Sequence, residues 1–333
     1  MKEAEIRPPD LFRQFLALAR EDAESFFDRE QFIEVACPGC TAETAHLAFE
    51  KLGFRYVVCD ACGSLYTSPR PTRQALRCYY QQGKAVQFFG SDFYRVTAES
   101  RKEKIFRPRA ELIGQLLEIH GGTKKDAFLD VGAGYGIFLD ELRRLDIFER
   151  VIGIEPSSGL AAICHQKGFE VIEKYAEDLS DDDIQAGMAT AFEVLEHVFD
   201  PAAFLHGVRR AMRDRGLMIF TTLSISGFDL QALWENSNSI YPPHHINLLS
   251  TEGIEALVRR SGFEIVELTT PGKLDIDIIS NAVKENPNLP LPRFISYILK
   301  YRNEEVWGEL QQFLQKHRLS SHVRVVARKR TAG

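Results

Sequence analysis

The sequence predicts an α/β fold built on a mostly parallel sheet, and three observations predict it. From Asp126 onward short apolar runs alternate with amphipathic segments, the rhythm of strands and returning helices. A loop of alternating glycines, Gly132-Ala133-Gly134-Tyr135-Gly136, follows the first of those runs and opens a helix-like segment. That is where open parallel sheets bind ligands. Two Cys-x-x-Cys pairs occupy a separate stretch near the N-terminus, which marks a small metal-bound addition.

The chain has 333 residues, enough for one main domain with additions or for two domains. Its 44% hydrophobic and 26% charged content is that of a soluble globular protein. A net charge of -6 argues against a general attraction to nucleic acid or anionic membranes and leaves room for a local basic patch. The start, MKEAEIRPPD, lacks the pattern of a secretory signal, and no apolar run reaches the ~18 residues of a membrane span. A cytoplasmic location is expected, where close cysteine pairs bind metal rather than form disulfides.

Residues 1–34 read as an N-terminal helical segment, with Leu11, Phe15, Leu18 and Ala19 at helical spacing. Residues 35–70 form the cysteine module, left through an extended SPRPT from Ser68 to Thr72. Residues 71–119 read as a helical linker region, in which the run from Arg101 to Arg109 looks like a solvated helix face rather than a binding site. The main domain is assigned to 120–333. Its strand-like runs cover 127–131, 151–155, 169–172, 188–192, 217–222, 263–269 and 322–328. Helix-like segments lie near 135–146, 157–167, 200–213 and 251–261. The stretch 271–321, with Pro287, Pro290 and Pro292, reads as a helical lid or cap inserted before the last strand.

The glycine loop lets the backbone turn tightly and approach a ligand. A dinucleotide fingerprint would need a third glycine at position 137, which is Ile137. The acid at the strand end, Asp130, suits a cationic ligand. Glu155, about 20 residues beyond the loop, is placed to accept hydrogen bonds from both ribose hydroxyls, each worth roughly 1.5–3 kcal/mol. Taken singly, these features also fit a tight turn and an acid at a helix start beside Pro156; together they favour a ligand site.

The fourth strand runs into Glu193-Val194-Leu195-Glu196-His197. The segments FLDVGAGYGIFL, VIGIEPS and AFEVLEHVFDPAAFL resemble the class I S-adenosylmethionine-dependent methyltransferases. Within them they are most similar to the branch of ubiquinone-type and sugar or polysaccharide methyltransferases. The resemblance covers 120–270, with 320–330 as the final strand. It implies a Rossmann-like, seven-stranded sheet flanked by helices, its last strand antiparallel. It implies S-adenosyl-L-methionine, with Asp130, Gly132, Gly134 and Gly136 around the methionine part, Glu155 on the ribose and Glu193 at the methionine end. Relatives often carry Gly-Asp-Ala after the third strand. Here Lys174, Tyr175 and Ala176 stand in that place, so Ala176, Glu177 and Asp178 become the candidates for the adenine.

Cys37, Cys40, Cys59 and Cys62 have the spacing of a structural zinc ribbon. Zn2+ binding of roughly 10–16 kcal/mol would supply the folding energy of so small a module. Redox disulfides are the alternative, and Cys78 and Cys164 read as buried thiols.

For the chemistry, His197 lies on the rim beyond the fourth strand. Histidine suits proton transfer because its ordinary pKa is near 6.5; a structural hydrogen bond is the competing role. Tyr241-Pro242-Pro243-His244-His245 follows the fifth strand. Adjacent histidines on an extended chain point opposite ways, so one is expected to meet substrate while the other packs or caps Ser250-Thr251. A metal held by Glu196, His197 and a neighbouring carboxylate is a less favoured reading. The leading function is methyl transfer to a small, carbohydrate-linked acceptor such as a sugar, nucleotide-sugar or glycan precursor, with the insertion closing over it. The alternatives are an RNA methyltransferase, disfavoured by charge and by the lack of a basic–aromatic stripe, and a non-catalytic cofactor-binding or scaffold protein.

Overall fold

The computed structural model describes residues 2–120 and 126–331. The boundary expected at 119/120 abuts residues 121–125, which lie outside the described residues. So do Met1, Ala332 and Gly333, the outer limits of the first and last segments.

The first three strands lie in the cysteine module: β1 (Ala45–Lys51), β2 (Phe54–Cys59) and β3 (Leu65–Thr67). The main sheet uses β4 (Ala127–Val131), β5 (Arg150–Ile154), β6 (Glu170–Ile172), β7 (Ala186–Phe192) and β8 (Met212–Leu223). After the short β9 (Asn247–Leu248) it is completed by β10 (Phe263–Thr269) and β11 (His322–Lys329). The seven strands lie in the order β10-β11-β8-β7-β4-β5-β6. The pairs from β8 to β6 are parallel, and β11 is antiparallel to both neighbours. All seven expected strands form, within a few residues of their expected bounds. The order reverses at β4, which has β5 on one side and β7 on the other, and this opens the crevice where ligands bind.

Alternation along the strands sends side chains to both faces. In β4, Phe128 joins a core with Ile113, Phe138 and Met188, while Leu129 joins another with Phe204, Leu205 and Leu257. The helices begin with α1 (Pro9–Ser25), α2 (Arg73–Gln82), α3 (Lys84–Phe88), α4 (Tyr94–Arg101) and α5 (Arg107–His120). Around the sheet lie α6 (Ile137–Leu145), α7 (Ser158–Gln166), α8 (Pro201–Arg210), α9 (Phe228–Leu233) and α10 (Thr251–Arg260). Caps set two of these starts: Asp200 accepts from the Ala202 and Ala203 amides, and Ser250 accepts from the Gly253 amide.

The insertion holds three helices, α11 (Asp275–Glu285), α12 (Arg293–Tyr301) and α13 (Glu304–Lys316). The break after Tyr301 has a local cause, because the Asn303 side chain caps the Val306 amide and starts a new helix.

The cysteine module is built into the rest of the protein. Strand β3 pairs antiparallel with β9, so the small sheet has the order β1-β2-β3-β9 and its last strand comes from the segment after the histidines. Gly39 abuts Gly253 of α10, where a Cβ on Gly39 would stand 2.9 Å from the Gly253 Cα. Arg260 donates to the Pro38 and Gly39 carbonyls. Arg70, in the extended exit, is fully buried and donates to Thr67, Phe199 and Ile246 carbonyls and to Asn247 Oδ1.

Candidate active site

Gly132, Gly134 and Gly136 have φ of 83°, 53° and 68°, conformations open to glycine and costly for other residues. A Cβ on Gly132 would lie 2.9 Å from Val194, so the loops after β4 and β7 pass at close quarters. The Gly134 amide donates to Glu155 Oε2 at 2.9 Å, and the Ser157 amide donates to Oε1 at 2.9 Å. Glu155 therefore fixes the glycine loop as well as facing the crevice. Burial pushes its carboxyl up, and the two amides oppose that.

Between these loops lies a cavity of about 610 Å³, ample for a nucleoside-sized ligand. Gly132, Glu155, Ala176, Glu177, Glu193 and His197 line it. Asp130 sits beneath the loop, accepting from Thr190 Oγ1 at 2.7 Å, and burial pushes its carboxyl up to about 7. Gly134 and Gly136 shape the loop without reaching the wall. Asp178 also misses the wall, because it is drawn to Arg77 at 2.9 Å.

The roof was not expected. Arg73, Leu76, Arg77, Tyr80 and Gln81 of α2, with Gly90 and Ser91, cover the cavity, and no residue of 271–321 lines it. The insertion is thus not its lid; α11 packs on α9 and α13 instead. Arg77 lies 3.9 Å over the Tyr175 ring and Gln81 donates to the Tyr175 hydroxyl, which pins the roof to the loop after β6.

At the opposite wall Glu193 has φ 55°, an uncommon conformation for a side chain of this type. Its Oε1 accepts from Thr221 Oγ1 at 2.5 Å and Arg109 Nη2 at 3.1 Å, and lies 3.3 Å from His322 Nδ1. Burial opposes its charge, but His322, Arg109 and the Thr221 hydroxyl outweigh burial and hold the carboxyl down to about 2. Glu196 is buried and accepts from Thr222 Oγ1 at 2.8 Å. Burial and the Glu193 charge push its carboxyl well above the ordinary range.

The three histidines meet here with different fates. His197 Nδ1 is 2.9 Å from the His244 carbonyl, and His245 Nδ1 is 2.6 Å from the Ser239 carbonyl. A carbonyl only accepts, so both rings donate through Nδ1 and leave Nε2 with a lone pair. Burial holds His197 down to about 4 and, with His197 nearby, His245 to about 3. His197 and His245 face each other at 4.9 Å between ring centroids. His244 is buried with Nε2 2.8 Å from the Tyr79 hydroxyl, so it packs, as one of the two was expected to. Neither histidine caps Ser250-Thr251; Ser250 does so itself. Tyr241 is withdrawn from the site, buried beside Ala19 and Ala85 with its hydroxyl donating to the Leu16 carbonyl.

Among the described residues two groups have metal-binding geometry. One is Cys37, Cys40, Cys59 and Cys62, with Sγ pairs 3.6 Å and 3.5 Å apart. The other is Glu196, His197 and His245.

Sequence reasoning missed Tyr80, whose hydroxyl lies 3.1 Å from His197 Nδ1, and Arg109 and His322, which hold Glu193. The run from Arg101 to Arg109 is not simply a solvated face: both of its end arginines turn inward.

The parallel sheet thus carries, at its switch point, a crevice bordered by the glycine loop, an acid at the end of the second strand and a neutral histidine on the rim. A family profile described as a methyltransferase domain matches residues 98–268, just over half of the chain, and the chain belongs to that family. Its curated relatives include ubiquinone biosynthesis O-methyltransferases. That of Alkalilimnicola ehrlichii is 31% identical over 123 residues, 35% of this chain and 48% of that protein. That of Ruegeria pomeroyi is 28% identical over 156 residues, 40% of this chain and 62% of that protein. The chain spans about half the length of the curated relatives it matches. Similar solved structures include an S-adenosylmethionine-dependent methyltransferase from Clostridium acetobutylicum (9% identity, 72% of this chain, 99% of that chain, TM-score 0.47). Another is the cyclopropane synthase MmaA2 of Mycobacterium tuberculosis (16% identity, 65% of this chain, 84% of that chain, TM-score 0.42).

Proposed function

We propose that the protein transfers a methyl group from S-adenosyl-L-methionine to a small-molecule acceptor, and that the acceptor is carbohydrate-linked. The observation that carries the first part is the single cavity that Gly132, Glu155 and Glu193 line together. The cofactor supplies an activated methyl group. Glu155 would hold the ribose hydroxyls, Ala176 and Glu177 the base, and the glycine loop the methionine part. Asp130 and Glu193 provide negative charge for a cationic donor, and the α2 roof excludes water. His197, neutral and with Nε2 free, would accept the acceptor's proton or orient its hydroxyl.

The carbohydrate part rests on the resemblance of the segment Pro242-Pro243-His244-His245 to polysaccharide-type methyltransferases; the cysteine module resembles ribbons of sugar-modifying and RNA-modifying enzymes alike and does not name the substrate. A ubiquinone precursor methylated on oxygen, suggested by the names of the curated relatives, is the competing acceptor.

A second reading of the proton step rests on the cluster of Glu196, His197 and His245. Two neutral imidazoles with Nδ1 fixed on carbonyls and a buried carboxyl fit a divalent cation, which would lower the pKa of an acceptor hydroxyl. We also propose that the four cysteines hold a structural zinc ion. Zn–S bonds of about 2.3 Å in a tetrahedron require Sγ separations of about 3.8 Å, close to those present. No helix among the described residues is long and apolar enough to cross a membrane.

The test is transfer of labelled methyl from S-adenosyl-L-methionine into a size- and nuclease-fractionated cell extract. Label in a small, nuclease-resistant, sugar-containing fraction supports the proposal. Label in a fraction released by ribonuclease sinks the small-molecule reading in favour of RNA.

A further inference from the structure

Two buried aspartates meet where the insertion rejoins the sheet. Asp275 opens α11 and Asp229 lies in α9, and both are 1% exposed. Asp275 is surrounded by donors. Its Oδ2 accepts from Gln311 Nε2 of α13 at 2.6 Å and from Ser320 Oγ at 2.5 Å, and its Oδ1 accepts from the Ser321 amide at 2.9 Å. Asp229 has the opposite surroundings. Neither of its oxygens has a hydrogen-bond partner, and its side chain faces the Asp275 carboxyl.

These contacts fix where one proton sits. Ionised, Asp229 would be a buried charge without a donor, beside a second carboxylate. Protonated, it has an O–H to give, and Asp275 is the acceptor that faces it. Burial first, and then the Asp275 charge, pushes the Asp229 carboxyl well above the ordinary range. The other titratable group facing the pair is His322 of β11, while α13 presents Gln311, which does not titrate. No lysine or arginine among the described residues pairs with either carboxyl.

The pair stands directly behind the support of Glu193. Ser320 and Ser321 lead into His322, whose Nδ1 lies 3.3 Å from Glu193 Oε1. The Ser321 carbonyl accepts from the Ser224 amide at 2.8 Å, just past β8. A Cβ on Gly227 would collide with Ser321, and one on Gly272 with Ser320, so this crossing has no slack. Burial pulls the His322 imidazole down, and the Glu193 and Asp275 charges oppose that fall.

We propose that Asp275 is a positioning residue for the donor wall: it holds Ser320 and Ser321 so that His322 stands against Glu193, and a proton shared with Asp229 keeps the two carboxyls together. The insertion is then a brace for Glu193 and not a cover for the cavity. Loss of the proton to solvent sets two negative charges side by side and loosens the brace. This rests on the methyl-donor reading of the cavity that Glu193 lines.

Because burial raises Asp229 in the folded chain, its contribution to stability is full below the unfolded value of about 3.9 and is lost as pH rises toward the folded one. Asparagine at this position keeps an N–H donor for Asp275 and has no such proton to lose.

The test compares the full native chain with Asp229→Asn and Asp275→Asn, by thermal melting from about pH 5 to about pH 9, by calorimetric titration with S-adenosylhomocysteine, and by NMR titration of histidine-labelled protein. The melting temperature of Asp229→Asn relative to native should climb with pH, by about 2 °C for each pH unit while the native Asp229 holds its proton. S-adenosylhomocysteine should bind Asp229→Asn as it binds the native protein and Asp275→Asn about tenfold more weakly, the loss of one charged contact. The His322 imidazole should titrate at lower pH in Asp275→Asn and unchanged in Asp229→Asn, a difference that a role confined to holding the fold does not produce. Ser320→Ala, a smaller loss at the same joint, should weaken S-adenosylhomocysteine several-fold and keeps that arm open if Asp275→Asn does not fold. A melting difference between Asp229→Asn and native that stays constant across the pH range overturns the shared proton. Native affinity in Asp275→Asn, or an unmoved His322, overturns the positioning role. Failure of the native protein to bind S-adenosylhomocysteine removes the methyl-donor reading, while the melting comparison and the His322 titration still decide the pair.

Discussion

His197 donates its Nδ1 proton to the backbone carbonyl of His244, 2.9 Å away. That contact joins the loop after β7 to the segment after β8 and fixes which nitrogen of His197 is bare. On the proposed reading, a neutral His197 with Nε2 bare would meet an acceptor hydroxyl at the cavity wall. Replacing it by alanine should leave S-adenosylhomocysteine binding near the native value and lower methyl transfer by about 100-fold or more. Undiminished turnover in His197→Ala would remove it from the chemistry.

Asp130 gives a pH signature. Its free-state pKa is about 7 because it is buried. A cationic donor favours the carboxylate, so binding should release a proton and tighten as pH rises from 6 to 8 through that value. S-adenosylhomocysteine has no sulfonium and should show less of this. In Asp130→Asn the dependence should vanish. A flat profile in the native protein would detach Asp130 from the donor.

If the four cysteines hold zinc as proposed, its removal should reach further than the cysteine module. No residue of 35–68 lines the cavity, yet β3 pairs with β9, and Arg70 ties Thr67, Phe199 and Asn247 together. Chelation of the metal, followed by circular dichroism and methyl transfer, should cost both local structure and activity. Full activity after complete zinc loss would show that the module does not position the histidine segment.

The roof is held by polar contacts at its edge. Arg77 pairs with Asp178 at 2.9 Å and lies over Tyr175, and both contacts are partly exposed. Arg77→Ala should speed S-adenosylhomocysteine dissociation by several-fold, in keeping with about 1 kcal/mol, measured by stopped-flow fluorescence. An unchanged off-rate would mean the roof does not gate the cavity.

The main sheet was legible because each strand carries its own apolar run and each helix its own spacing, and the glycine loop, Glu155 and the cysteine pairs are local patterns. Sites assembled from distant segments were not. Arg109 shares its sequence neighbourhood with solvated Lys104 and Glu103, and only the π-helical turn rotates it inward. Tyr80 reaches His197 across 117 positions, and nothing in its own helix announces that. Tyr241 and His244 carry residue types suited to catalysis, but α1 and Tyr79 of α2 claim them for packing. The insertion has the composition of a lid, yet its attachment beside β10 and α9 carries it away from the cavity.

The most direct measurement is equilibrium binding of S-adenosyl-L-methionine to the full chain and to Glu155→Ala. On the proposed reading Glu155 would offer acceptor oxygens to the cofactor's ribose; it also holds the Gly134 amide. One molecule should bind per chain, and the variant should bind at least about tenfold more weakly, the loss of charged hydrogen bonds. No binding to the native protein, or equal affinity in both, would contradict the assignment of this cavity to the methyl donor.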